Sequence, residues 1–216
     1  MIQSIVEEIT LAIYAYLLAD FLTGAFHWLK DSYFTPKTPV IGKLLIWGSR
    51  LHHVRPRYIL EFSDREIFWG SAKWTLLWMV PLVCLIGPSF FLLVLFLSIS
   101  SNDVIHKYSH LKKCECPKWV SQLQRYRIIQ SGEEHRLHHI EPYQINYCTI
   151  TPHLNVWLEK YAFWRKMEDI IEKHIGIKAR NTPDIYVESD EYPAGLMFVD
   201  QDYVQKHPGV KLNGSQ

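Results

Sequence analysis

Histidines at helical spacing are the residues of this chain whose arrangement most clearly suits chemistry. His106 and His110 in "HKYSH" are four residues apart, and the three histidines of "EEHRLHH" stand at i, i+3 and i+4. Each set would lie on one helical face. Three converging imidazoles are costly to desolvate and improve packing little, so a metal site is favoured over a polar surface patch. The complete set comprises eight of the eleven histidines: His27, His52, His53, His106, His110, His135, His138 and His139.

The number of clustered histidines indicates more than one metal ion. A structural zinc ion needs four ligands, and a catalytic zinc ion usually takes three from the protein. Eight imidazoles with nearby carboxylates are enough for two metal ions that keep open positions for a small molecule. Neutral imidazole binds iron, zinc, copper and nickel alike, so the ligand type alone does not name the metal. His52 and His53 are adjacent and must point in different directions. Asp31 lies four residues after His27, so the two side chains would share a helical face.

A zinc hydrolase is the competing use of such residues, but its sequence signature is missing. No H-E-x-x-H occurs, because Val54, Lys107 and Arg136 follow the relevant histidines. The sequence also lacks a G-x-S-x-G nucleophile motif. Three histidines fall outside the clusters. His153 is a weak candidate for an outer partner of the site, and His174 and His207 are predicted to be surface residues.

Residues 9–29 form an apolar run long enough to cross a hydrocarbon core of roughly 30 Å. The charged residue within it, Asp20, is expensive in lipid and should face protein or water. A cleaved signal peptide would need a basic leader, whereas this run follows "MIQSIVEE". The pattern predicts a retained membrane helix, with a buried helix of a soluble protein as the alternative.

A second apolar run, residues 74–100, contains no charge and is interrupted near its middle by Gly87-Pro88. Proline removes a backbone donor and Gly-Pro favours a turn, so we expect two shorter helices in a hairpin. Either half is short for a full crossing, and Pro81 could kink the first.

Together, these elements place the clustered histidines on one side of a membrane. If the first helix crosses once and the hairpin returns, residues 28–73 and everything after Ser100 share that side, which His27 also reaches. The first 29 residues carry no Lys or Arg and the segment 30–73 carries eight, which indicates the cytoplasmic side. The predicted fold is an all-α integral membrane protein: a transmembrane helix plus a membrane hairpin, with cytoplasmic helices that carry a histidine-rich metal centre.

After residue 100 the chain is amphipathic. Residues 118–139 predict one helix with an apolar stripe of Trp119, Leu123 and Tyr126. Residues 158–175 predict another, which could pack on the protein or lie in the membrane interface.

Bulk composition favours one domain, because 216 residues with 48% hydrophobic content are enough for one substantial core and few for two. The formal charge of +1 does not suit a nucleic-acid binder, which would carry a basic surplus on one face. No C-x-x-C pair occurs among the four cysteines, which favours a reducing compartment. The chain turns polar beyond Arg180, so we expect a membrane domain over residues 1–180 and a polar tail over 181–216.

The motifs occur in an order that resembles a known family. The sequence contains His27-Trp28 with Asp31, then "HHVRP", "HKYSH", "HRLHHIEP" and "NYC". This order is similar to that of the lipid desaturases, a family that includes the plasmanylethanolamine desaturases (the Kua and CarF proteins) and the plastid phosphatidylglycerol trans-desaturase. The resemblance extends from about residue 18 to residue 177.

The resemblance implies an iron-dependent, oxygen-consuming membrane enzyme that removes two hydrogens from a phospholipid chain. It implies that the eight clustered histidines hold two iron ions, and that an external donor such as cytochrome b5 or ferredoxin supplies electrons. Asp31 matches the family's acidic residue after the first histidine and would orient an imidazole. In a eukaryote we would expect the endoplasmic reticulum.

Substrate and reaction are open at this level. "LEKYAFWRKMEDII" resembles the plasmanyl branch, which forms the vinyl ether of plasmalogens, whereas "PYQINYC" is closer to the plastid branch that acts on phosphatidylglycerol. The sequence departs from the plasmanyl branch at Arg55 and at Asp103-Val104. Two other functions remain as alternatives: a di-iron lipid hydroxylase, and a membrane metal-binding protein without catalysis.

Overall fold

The computed structural model describes residues 2–140 and 143–180, and this part of the chain is helical, without a β-strand. The predicted tail, residues 181–216, lies outside the described residues. Within these residues, three helices are long and apolar enough to cross a membrane; the sequence predicted all three, but predicted the second and third to be shorter. They are α1 (Ile2–Tyr33), α3 (Asp64–Ile86) and α4 (Phe90–Ser109).

Helix α1 extends beyond the predicted run of residues 9–29 at both ends. Its last turn contains Lys30, a cation that interacts favourably with the negative end of the helix dipole. The extension matters because it keeps His27 and Asp31 on one continuous helix that starts in the apolar layer.

The predicted hairpin is confirmed. Gly87 ends α3 with φ of 84°, a conformation that glycine adopts without steric cost, and the hydroxyl of Ser89 caps α4. Both helices are longer than the apolar run suggests, because a reciprocal cap between Ser63 and Glu66 starts α3 well before residue 74. The expectation that each half is short for a crossing is therefore wrong. Pro81 lies within α3, which continues through it.

The membrane helices pack around small residues of α1. Ala15 and Ala19 are fully buried and lie in one cluster with Met79 of α3 and with Leu92 and Leu95 of α4. Without large side chains at these two positions, neighbouring helices approach α1 closely. The opposite faces of the three helices expose apolar side chains, as expected of surfaces that contact lipid.

Shorter elements form a cap at one end of the three long helices. Between α1 and α3 lie a π-helical turn (Gly42–Ile46), α2 (Trp47–Val54) and a 3₁₀ turn (Pro56–Glu61). After α4 come α5 (Lys118–Arg125), α6 (Gly132–Arg136), α7 (His153–Lys160) and α8 (Phe163–Ile175).

Both predicted amphipathic helices are interrupted. The helix expected over residues 118–139 ends at Arg125, where a turn with Arg127 at φ of 57° separates α5 from α6. Its predicted apolar stripe is not the buried face, since Trp119 and Tyr126 are exposed and Val120 is the buried residue of α5.

The helix expected over residues 158–175 is divided at Ala162, whose φ is 49°. Its second part, α8, packs on the protein: the Trp164 ring stacks on Trp28 of α1 with centroids 5.3 Å apart. The buried Glu168 accepts a hydrogen bond from the Trp28 indole at 2.9 Å. These contacts place α8 against α1, so the helix packs on the protein.

Candidate metal centre

All eight predicted histidines converge at the boundary between the membrane helices and the cap, in two groups of possible metal ligands. The ligand atoms of each group lie within 4.8 Å of one another. Group one consists of His52, His106, His110, His135 and His139. Group two consists of His27, Asp31, His53 and His138.

Group one directs imidazole nitrogens towards a common point. The Nε2 atoms of His106 and His135 are 2.8 Å apart, those of His106 and His110 are 3.2 Å apart, and those of His135 and His139 are 3.0 Å apart. Two nitrogens that bind the same metal ion, each at about 2.1 Å from it, lie about 3 Å apart. The His52 ring lies 4.5 Å from the rings of His106 and His110, centroid to centroid, and completes the group.

Group two is arranged around one carboxylate oxygen. Asp31 Oδ2 lies 3.2 Å from Nε2 of His27, 3.3 Å from Nε2 of His53 and 3.5 Å from Nε2 of His138. The sequence predicted Asp31 as a residue that orients an imidazole. Its Oδ2 atom lies close enough to the three nitrogens to be a fourth donor atom of the group.

Backbone carbonyls fix the orientation of two imidazoles in group two. Nδ1 of His27 donates to the Tyr147 carbonyl at 3.1 Å, and Nδ1 of His138 donates to the Ile145 carbonyl at 2.8 Å. Each bond places the ring proton on Nδ1 and leaves the Nε2 lone pair directed into the group.

Adjacent residues belong to different groups. His52 and His53 point to groups one and two, as the sequence predicts for neighbours on one helix. The same division separates His138 from His135 and His139, which the spacing had placed on one face. Helix α6 ends at Arg136 and the following turn carries His138 towards α1. The groups are nevertheless close, since the His53 and His139 ring centroids are 5.3 Å apart.

Burial favours the neutral form of several of these imidazoles, and repulsion between neighbouring histidines adds to it. Burial lowers the pKa of His52 and His135 well below the usual value, and the neighbouring histidines lower it further. Burial also lowers the pKa of His110 to about 3. For His53, burial lowers the pKa although the Asp31 carboxylate acts in the opposite direction. Neutral imidazole is the form that binds a metal ion.

The donor atoms fit a metal ion because protein groups leave them unsatisfied. Among the described residues, Asp31 Oδ2, His138 Nε2 and both ring nitrogens of His52 and His53 are buried without a hydrogen-bond partner. A buried polar atom without a partner costs about 1–3 kcal/mol, so several together are unusual in a native protein. A positive ion in each group would satisfy the Asp31 oxygen, His138 Nε2 and one ring nitrogen each of His52 and His53.

Arg50 is a site residue that the sequence analysis missed. Its side chain is 2% exposed, and Nη1 donates to Asp31 Oδ1 at 3.1 Å. Nη2 donates to the carbonyls of Lys30, Asp31 and Phe34 at the end of α1. In the sequence it counts only towards the basic surplus, and nothing in its spacing distinguishes it from a surface arginine.

The segment that supplies the carbonyls of Ile145 and Tyr147 is anchored by an aspartate in the apolar layer. Asp20 is fully buried, as predicted for a membrane aspartate that faces protein. It accepts hydrogen bonds from the Ile150 and Thr151 amides at 2.9 and 3.1 Å and from the Thr151 hydroxyl at 2.7 Å. Asp20 therefore fixes the backbone that in turn orients the group two imidazoles.

The remaining histidines lie elsewhere. His153 Nε2 donates to the Arg127 carbonyl at 3.0 Å and belongs to neither group. His174 is exposed on α8, as predicted, and His207 lies outside the described residues.

Comparisons with known proteins agree with the motif order. The profile of the lipid desaturase domain matches residues 16–182. A protein named "Probable fatty acid desaturase" from Acanthamoeba polyphaga mimivirus is 50% identical over 200 residues, which cover 93% of this chain and 100% of the relative. Plasmanylethanolamine desaturase 1 of Mus musculus is 32% identical over 76% of this chain, and fatty acid desaturase 4 of Arabidopsis thaliana is 29% identical over 81%.

The chain spans 65% of the mouse relative and 55% of the Arabidopsis relative, less than two thirds of each. No solved structure matches the chain.

Proposed function

The chain belongs to the lipid desaturase family and is a lipid desaturase enzyme, and we propose that it forms the vinyl ether of plasmalogens from a plasmanyl phospholipid at a centre of two iron ions. Group one would hold one ion and group two the other, with Asp31 as a direct ligand beside His27, His53 and His138. This assignment is supported most by the two separate sets of buried, converging donor atoms.

Iron would supply the activation of O₂ that breaking an unactivated C–H bond requires. For each double bond, the lipid loses two hydrogens, and O₂ with two electrons and two protons becomes two molecules of water. The electrons would come from an external carrier such as cytochrome b5 or ferredoxin.

The protein's own residues hold and shield this centre. Neutral imidazoles are pre-positioned as ligands, since the carbonyls of Tyr147 and Ile145 orient two of them. Burial of the donors limits the access of water. The apolar faces of α1, α3 and α4 offer a lipid chain a route from the bilayer to the centre.

The position of the donors supports a reaction close to the lipid headgroup. His27 and His106 lie near the ends of the membrane helices α1 and α4. A phospholipid in the same bilayer would therefore present its glycerol-proximal bonds to the centre, among them the first carbon–carbon bond beside an ether oxygen. The mouse relative is named a plasmanylethanolamine desaturase, which favours this substrate.

Acyl desaturation is the second candidate, because the viral and plant relatives are named fatty acid desaturases. In that case phosphatidylglycerol would be the substrate. A hydroxylase with the same centre would insert oxygen into the same C–H bond.

Mass spectrometry of lipids from a host that lacks this class of enzyme tests these functions directly. Expression of the wild-type chain should produce plasmanyl lipids that are lighter by two hydrogens and carry an acid-labile vinyl ether. A new acyl double bond in phosphatidylglycerol, or a product with one added oxygen, would replace the first proposal with the corresponding alternative. A variant with His106 and His135 both changed to alanine is the control for host activities.

We further propose that residues 1–180 form the desaturase domain and residues 181–216 a separate polar tail. The histidine side would face the cytoplasm, in the endoplasmic reticulum if the source is eukaryotic.

A further inference from the structure

Arg50 divides its hydrogen bonds between two tasks, one for each terminal nitrogen. Nη2 donates to three carbonyls at the end of α1, at 2.8 to 3.1 Å. Nη1 donates to the side chain of Asp31. A role in ending α1 accounts for the first set of bonds and leaves the second unexplained.

The two oxygens of Asp31 are correspondingly different. Oδ1 faces Arg50 and the Ser49 hydroxyl, at 3.1 and 3.4 Å. Oδ2 faces the imidazoles of group two and accepts no hydrogen bond from the described part of the chain. A carboxylate can bind a metal ion through one oxygen or through both, and here one oxygen is already engaged.

We propose that Arg50 is a positioning residue of the metal centre: it holds Asp31 as a one-oxygen ligand and thereby keeps a coordination position of group two open. This inference rests on the proposed metal centre. Three imidazoles and one carboxylate oxygen supply four donors, and a second carboxylate oxygen would occupy a position that a small molecule needs.

Arginine suits this task better than lysine. Its planar fork presents separate N–H groups in fixed directions, so one side chain can bond the α1 carbonyls and the Asp31 carboxylate together. The guanidinium also balances a buried carboxylate, and loss of either partner leaves the other charge buried and uncompensated.

A double-mutant cycle in the full chain separates positioning from a merely structural role. The variants are Arg50→Gln, Asp31→Asn and the two together, each loaded with Co(II), whose visible absorption reports coordination number. Arg55→Gln is the matched control, since Arg55 forms an ion pair with Glu61 on a more exposed surface of the same segment.

We expect Arg50→Gln to weaken Co(II) binding at group two by about 10–100-fold, the usual effect of losing an outer partner of a ligand. The Co(II) that remains there should show the weaker absorption of a higher coordination number. In the Asp31→Asn background, Arg50→Gln should cause no further loss of binding. Arg55→Gln should match the wild type.

Two results would overturn the inference. One is a folded Arg50→Gln protein with wild-type Co(II) binding and spectrum, and the other is additive losses in the double variant. If Arg50→Gln does not fold, Arg50→Lys replaces it in the same cycle. If Asp31→Asn itself leaves binding and spectrum unchanged, Asp31 is not a ligand and this inference fails while the histidine centre stands. If the wild-type chain binds no Co(II), the proposed centre itself fails, so the two failures are distinguishable.

Discussion

At the scale of single residues, neighbours in sequence have different partners. His138 belongs to a group of four donors that includes a carboxylate, whereas His139 belongs to a group of five imidazoles. Loss of one donor therefore leaves three in group two and four in group one. The smaller set should suffer more, because each of its donors supplies a larger share of the metal's coordination.

We expect His138→Ala to reduce bound metal from about two ions per chain to about one, and His139→Ala to reduce it less. The desaturation rate of both variants should fall by at least about a hundredfold, because each substitution disrupts one group of the centre. Metal analysis and lipid mass spectrometry measure the two effects. His153→Ala is the control, since its imidazole bonds a carbonyl outside both groups. Equal metal loss in the two variants would contradict the division into groups.

The buried imidazoles also make the metal-free protein sensitive to pH. The pKa of His110 is lowered to about 3 in the folded chain, against about 6.5 when unfolded. As the pH falls below about 6.5, the unfolded chain binds a proton that the folded chain does not, so stability falls, and the loss continues to about pH 3. At pH 5 the His110 imidazole alone would lower the free energy of unfolding by about 2 kcal/mol.

Thermal unfolding of the metal-free protein should therefore show a lower midpoint at pH 5 than at pH 7.5. His110→Gln should reduce this difference, and His174→Gln, at an exposed position, should leave it unchanged. A midpoint that rises on acidification would show that the imidazoles are not buried as neutral groups.

Residue types were enough to predict which histidines converge, but they could not predict the groups that orient these imidazoles. Every clustered histidine was identifiable, because imidazole is rare and its spacing follows the helix. The carbonyl of Tyr147, which orients His27 from 120 positions away, was not identifiable, since every residue carries a carbonyl. Arg50 was missed for a related reason: only its burial beside Asp31 distinguishes it.

At the scale of elements, α1 is the scaffold for the segment that orients group two. Gly24 of α1 lies against Cys148, and a Cβ atom at Gly24 would come within 2.6 Å of the Cys148 Sγ and 3.1 Å of its Cα. The helix and the segment can approach this closely only because position 24 has no side chain.

Gly24→Ala should consequently destabilise the protein by about 1–3 kcal/mol, the usual cost of overpacking. It should also weaken metal binding at group two, because Tyr147 and Cys148 would have to move together. Gly70→Ala in α3 is the matched control, since a Cβ there meets nothing within 4 Å and helix propensity favours alanine by up to about 1 kcal/mol. Thermal unfolding in detergent compares the two, and equal midpoints would refute the close contact.

Element boundaries followed the sequence where glycine or proline marked them. The hairpin turn at Gly87-Pro88 was predicted because these residues favour a turn. The interruptions at Arg127 and Ala162 were not, since both adopt positive φ without a glycine to signal it. Periodicity continued across each interruption and therefore predicted one helix where there are two.

At the scale of the whole molecule, the three long helices place both donor groups at one end of the membrane-spanning part. The end of α1, the start of α3 and the end of α4 meet the cap there. The start of α1 and the Gly87-Pro88 turn must then lie on the opposite side.

Labelling of one exposed cysteine per variant in sealed vesicles tests this topology, with the buried Cys148 kept in both variants. Cys114 is exposed in the cap, after α4, and Pro88 is exposed in the hairpin turn. One variant retains Cys114, with Cys84 and Cys116 changed to serine. The other carries Pro88→Cys, with Cys84, Cys114 and Cys116 changed to serine.

A membrane-impermeant maleimide should label the two variants from opposite sides of the membrane. We expect it to label Cys114 from the cytoplasmic side, because the Lys and Arg excess lies there. Lysed vesicles, in which both should react, provide the control. Labelling from the same side would mean that α3 and α4 dip into the membrane without crossing it, and the lipid would then reach the centre from one leaflet only.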